Sequence, residues 1–146
     1  MIDIDIADEY RALIAPEVME RAALAALTRQ HASPHAGLSL VIAGDAQIRE
    51  LNLAFMGNPD PTDVLSFPSG DTTPDAYLGD IIISLPQAQA QAAQGGHPLA
   101  QEIELLTVHG TLHLLGHDHT GDADKARMWT AQAEILAALG NPLSPP

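Results

Sequence analysis

Isoleucine alternates with aspartate at the start of the chain. Ile2, Ile4 and Ile6 stand against Asp3 and Asp5, the period-two pattern of a strand with one buried face. The period then lengthens. Pro16 suits the first position of a helix, and Glu17 to about Gln30 continues it with Val18, Ala22, Ala25 and Leu27. Ser33 to Gly37 breaks the chain, and Leu38–Ala43 reads as a short apolar strand. Asp45 is the expected N-cap of a helix ending near Gly57, with Ile48, Leu51 and Phe55 at i, i+3 and i+7. Asn58-Pro59-Asp60-Pro61 makes a rigid turn into a strand at Asp63–Phe67. Ser69 to Ala76 is the longest polar loop and the segment expected to move most. Leu78–Leu85 is a strand centred on Ile81, Ile82 and Ile83.

Three helices are expected to follow. Pro86 to about Gln94 is rich in Ala and Gln, reads as a solvated surface helix, and is ended by Gly95-Gly96. Pro98 starts a central helix to about Leu115. From Ile103 onward it is apolar nearly all round, as in a helix buried in the middle of a domain. The last helix runs from Asp122 to Leu139, Gly140-Asn141-Pro142 stops it, and Leu143–Pro146 is expected to fray. The order βαβαββααα predicts one α+β domain over residues 1–146. Its four-stranded mixed sheet would pack around the central helix.

Composition narrows the function. A chain of 146 residues, 46% apolar, holds one ordinary core. No run approaches the roughly 18 apolar residues of a membrane span. The first residues lack the basic and apolar regions of a signal peptide, so a cytoplasmic location without membrane partners is expected. With no cysteine, a metal must be held by His, Asp or Glu. The net charge of −13 and only five aromatic residues argue against a general nucleic-acid binder, which needs cations on phosphates and platforms for bases.

The chemistry concentrates in one segment. Of the seven histidines, His109, His113, His117 and His119 lie together. His109 and His113, four apart, project from one helix face, and Gly116 can turn the chain back so that His119 joins them. Three imidazoles leave a metal one open position, as a catalytic site requires, and neutral nitrogen ligands favour one zinc ion per chain. Burying several imidazoles without a partner is costly, which supports the metal reading. His117 then points elsewhere, and Asp118 can orient a ligand imidazole. The spacing is that of the metzincin proteases, but Gly110 stands where they carry a general-base glutamate. Peptide hydrolysis by their mechanism is therefore not expected. Polarising a phosphoryl oxygen needs no such neighbour.

The segment His109-Gly110-Thr111-Leu112-His113-Leu114-Leu115-Gly116-His117-Asp118-His119 resembles the H-G-x-L-H-L-x-G-Y-D-H motif of the YbeY family of bacterial rRNA maturation endoribonucleases. Pro61–Pro68 (PTDVLSFP) and Leu78–Ser84 (LGDIIIS) resemble two further family segments, in the same order. The resemblance covers about Ser39 to Leu139. It implies a zinc-dependent single-strand endoribonuclease acting on rRNA in 16S 3′-end maturation and ribosome quality control. Its implied partners are the small ribosomal subunit and assembly factors.

Two positions depart from the family pattern. Met56 replaces an arginine suited to neutralising phosphate charge, and His117 replaces a tyrosine. Arg49, seven residues before Met56, is the remaining candidate for that charge, although two helical turns (about 10 Å) separate them. Asp63, Ser66 and Asp80, inside the resembling segments, are candidates for substrate contact. His117 and Asp118 are candidates for proton transfer. Glu102 and Glu104 are expected to face solvent at the start of the central helix, and His31, His35 and His97 to be solvated. The rival reading is a metal-stabilised ribosome-assembly module with little catalytic activity, which Met56 and the acidic charge favour.

Overall fold

The computed structural model describes residues 1–143, so of the expected frayed tail residues 144–146 lie outside the described residues. Strands β1 (Ile2–Ile6), β2 (Gly37–Ala43), β3 (Val64–Pro68) and β4 (Tyr77–Ser84) form one sheet in the order β1-β2-β4-β3. β1, β2 and β4 are parallel, and β3 pairs antiparallel with β4. The helices are α1 (Pro16–Arg29), α2 (Asp45–Met56), α3 (Leu85–Gly95), α4 (Leu99–Leu114) and α5 (Asp122–Ala138). The predicted order holds, with an added 3-10 turn at Asp8–Tyr10.

The pleat of the sheet divides its residues between two cores. Leu38, Leu40, Ile42, Ile81 and Ile83 face α1 and α4. Val41, Ala43, Leu65, Phe67 and Ile82, at the alternate positions, face α2 through Ile48 and Leu51. A third cluster joins Ala22 and Ala26 of α1, Val108 and Leu112 of α4, and Met128, Ile135 and Leu136 of α5. α4 therefore lies between the sheet and α5, which explains why it is apolar nearly all round.

Five local expectations are corrected. Gly44, not Asp45, is the N-cap of α2; Asp45 is its first residue and instead accepts a hydrogen bond from Ser84 Oγ at 2.7 Å. Phe55 is 68% exposed, while Asn52 is buried and donates to the Asp60 carbonyl at 2.8 Å. α3 is not a fully solvated helix, because Leu85, Ala88 and Ala92 bury one side. Glu102 and Glu104 do not face solvent: both are buried, since a tertiary partner waits for each. Glu102 meets His97 at 2.6 Å, which leaves His97 half-buried rather than freely solvated. Glu104 meets Arg21 at 3.5 Å and accepts from Asn141 Nδ2 at 3.3 Å. His31 and His35 are exposed, as expected.

Candidate metal centre

α4 ends in a turn that brings its own face and the following loop together. Gly116 adopts φ +97°, His117 N donates to Leu112 O at 3.0 Å, and Gly116 N donates to His113 O at 3.0 Å. This pair of bonds is a Schellman motif, and it reverses the chain. Asp118 then holds the loop, with Oδ1 accepting from His119 N at 2.7 Å and Oδ2 from Thr120 Oγ1 at 2.9 Å. These two donors also hold the Asp118 carboxyl below the usual carboxylate range, the hydroxyl of Thr120 first.

The outcome is a triad. One ligand nitrogen from each of His109, His113 and His119 lies within 4.8 Å of the others. His109 Nε2 and His113 Nε2 stand 3.2 Å apart. His109 Nδ1 contacts Gln132 Oε1 of α5 at 3.1 Å. An amide oxygen only accepts, so Nδ1 carries the proton and Nε2 offers its lone pair toward His113. Two tetrahedral ligands at about 2.0–2.1 Å from zinc are themselves about 3.3 Å apart. The donor set and its spacing fit a metal ion.

Burial lowers the pKa of both helix histidines. For His109 the Gln132 bond and the Asp63 charge oppose that effect; for His113 the neighbouring His109 and His119 add to it. The unfolded chain therefore takes up these protons first, near the ordinary imidazole value of about 6.5. Below that pH the unfolded state holds more protons than the native state, and acid favours unfolding. The stability of the metal-free protein is thus complete above about pH 6.5 and falls as pH drops through the lower native values. Urea midpoints at pH 7.5, 6.5 and 5.5 will decrease in that order; a midpoint that holds steady or rises in acid would contradict the arrangement.

Two open clefts meet at the triad. The larger, of about 620 Å³, runs toward α5 and is lined by His109, His119, Leu105, Leu106 and Trp129 among others. The smaller, of about 430 Å³, runs along β3 and is lined by all three histidines together with Met56, Ser66 and Pro68. Asp63 and Val64 line both.

Residues 4–140 match the family model described as Endoribonuclease YbeY. The chain belongs to the endoribonuclease YbeY family. YbeY relatives include that of Roseiflexus castenholzii, 40% identical over 148 residues, with 96% of this chain and 93% of the relative covered. Chloroflexus aurantiacus YbeY is 44% identical, with 86% and 88% covered. Moorella thermoacetica YbeY is 45% identical, with 84% and 85% covered. A Thermotoga maritima protein of known solution structure shares the fold with a TM-score of 0.61 at 22% identity, over 97% of this chain and 94% of its own.

The structure sorts the other candidates. Asp63 reaches both clefts, with Oδ2 accepting from Gln91 Nε2 at 3.2 Å. Ser66 lines the smaller cleft and donates to Gly110 O at 3.4 Å. Asp80 is not brought to the site: it alternates with Ile81, which packs toward α4, and its carboxylate instead accepts from Tyr77 OH. Arg49 is exposed on α2 and lines neither cleft. His117, which stands where the YbeY motif has tyrosine, turns away, with Nε2 at 2.7 Å from Gln30 Oε1. It shares a separate hollow with Asp118 and Arg127. Asp118 does not orient a ligand ring as expected, because both its oxygens serve the loop. Met56 occupies the smaller cleft, where the YbeY pattern has arginine.

Gln132, Trp129 and Lys125 were not singled out from the sequence. They fall at i, i−3 and i−7 on α5, one helical face turned to the triad, and that periodicity was the available signal. Gln132 is buried and fixes the His109 tautomer. Gln132→Leu is expected to weaken metal binding about 10- to 100-fold with the fold retained, as loss of an outer hydrogen-bond partner does. Competition with a chromogenic chelator measures it.

Proposed function

We propose that the chain is a zinc-dependent endoribonuclease cutting single-stranded RNA in 16S rRNA 3′-end maturation and ribosome quality control, with the small ribosomal subunit and assembly factors as partners and the cytoplasm as its location. The observation that carries this reading is the convergence of His109, His113 and His119 where two clefts meet. The family membership supports RNA as substrate. The three histidines would hold one zinc ion, which when bound supplies Lewis-acid polarisation of a phosphoryl oxygen.

The rest of the chemistry falls to the chain's own groups. Gln132 keeps the His109 proton on Nδ1, so that Nε2 remains a ligand. Asp63 lines both clefts, and in this reading its carboxylate would contact the substrate and take a proton from an attacking hydroxyl or water. Lys125 is the cation that lines the larger cleft. RNA strands lie across both clefts with the scissile phosphate at the histidines. No helix among the described residues is long and apolar enough to cross a membrane.

One observation favours the second reading, an assembly module with little activity. The smaller cleft carries Met56 and no lysine or arginine among the described residues. The deciding experiment is cleavage of a single-stranded 16S 3′-end fragment by zinc-loaded protein beside a chelator-treated control. Cutting that the chelator abolishes is the expected result. An intact RNA in the presence of stoichiometric zinc would overturn the nuclease reading in favour of assembly, and cutting regained in Met56→Arg would then locate the deficit.

A further inference from the structure

The larger cleft has a composition that metal binding alone does not require. Trp129 of α5 forms one wall, its ring 5.9 Å from those of both His109 and His119, with Lys125 Nζ 5.9 Å from its centroid. Leu105 and Leu106 supply apolar surface. The cleft also reaches the buried Glu102 and its half-buried partner His97. His97 binds Glu102 Oε1, and among the described residues nothing donates to Oε2. The volume of about 620 Å³ lies within the range of small-ligand sites, about 300–1,000 Å³.

An aromatic wall, apolar surface and a carboxylate acceptor, continuous with a site for a phosphodiester, match one kind of group. We propose that this cleft is a nucleobase subsite, taking the base next to the scissile phosphate and preferring one with an exocyclic amine, such as cytosine. Trp129 supplies the stacking surface, which any base can use. Glu102 supplies the preference, since a carboxylate accepts from the cytosine amine and repels the uracil carbonyl at the same position. His97 is a positioning residue that holds Glu102 in place. The subsite rests on the nuclease reading for its RNA, but its binding chemistry is separately measurable.

Trp129 is the one tryptophan of the sequence, so its fluorescence reports on this wall directly. Zinc-loaded protein would be titrated with CMP, UMP and ribose 5-phosphate. Saturable quenching is expected with CMP, about 10-fold or more tighter than with UMP, on the scale of one hydrogen bond to a charged group. Ribose 5-phosphate, with the phosphate but no base, should bind more weakly than either. Glu102→Gln should erase the preference for CMP. Leu105→Phe, at a half-buried position, should narrow the cleft and weaken both nucleotides. If Glu102→Gln does not fold, the comparison in the unmodified protein still decides. Equal quenching by CMP and ribose 5-phosphate would mean that only phosphate is bound, and would overturn the subsite. An enzyme that cuts RNA without base-dependent quenching keeps the nuclease reading and loses this one. Base-dependent quenching in a protein that cuts no RNA does the reverse.

Discussion

His113→Ala will leave a folded protein that neither retains metal nor cuts RNA. His113 sits in the last turn of α4, half-buried, and its ring nitrogen faces His109 rather than the apolar core. Truncation therefore removes little packed surface, and the melting temperature of the metal-free protein should change by only a few degrees. Metal binding should change far more. Loss of an outer partner already costs about 10- to 100-fold, and loss of one ligand of three must exceed that. RNA cleavage should fall by at least about 100-fold, the scale on which removal of a single transition-state stabiliser acts. Metal analysis after dialysis, a thermal melt and a cleavage assay on one preparation separate these effects. A variant that keeps stoichiometric zinc would show that the histidines are not the ligand set.

Gly110→Glu will destabilise the domain without making a protease. The substitution restores the residue that metzincins carry beside their first histidine, but position 110 is turned toward the sheet. A Cβ there would lie 2.8 Å from Ile81 Cγ2, and Ile81 is fully buried. Overpacking costs about 1–3 kcal/mol, and a carboxylate buried without a partner adds to it. A loss of about 3 kcal/mol or more is expected, lowering the melting temperature by about 10 °C. Gly110→Ala provides the graded comparison, because better helix propensity offsets about 1 kcal/mol of the clash. A Glu variant as stable as the parent, or one that hydrolyses peptides, would refute this account of the glycine.

The sequence revealed the parts of the site that depend on local spacing. His109 and His113 share a face because they are four apart on a helix, and Gly116 lets the chain return with His119; neither relation needs tertiary knowledge. Gln132 shares a helical face with Trp129 and Lys125, but its partner was out of reach for the opposite reason. Its contact with His109 spans 23 residues and exists only because α5 packs on α4. The same limit explains Glu102 and Glu104. Placement near a helix N-terminus predicted solvent, whereas His97, Arg21 and Asn141 arrive from other elements to accompany them. Asp80 was ambiguous until the sheet had sides. Alternation says that it opposes Ile81, but only the packing of Ile81 and Ile83 against α4 says that Asp80 is therefore turned from the histidines. The element order and the mixed sheet were legible because each strand and helix carries its own period and its own Gly or Pro stops.

The reversal after α4 also divides the three histidines by stiffness. His109 and His113 belong to a helix clamped between the sheet and α5, so their separation is set before any ion arrives. His119 stands exposed on a turn held by Gly116 and by the two bonds to Asp118. An ion would find the His109–His113 pair already spaced by the helix, with His119 presented from the turn as the third donor. On release, the donor on the turn would be the first to let go. Exchange rates should therefore follow the geometry of the turn, even where equilibrium stability follows the helix, and a chelator's speed would read a different part of the molecule from a melting curve.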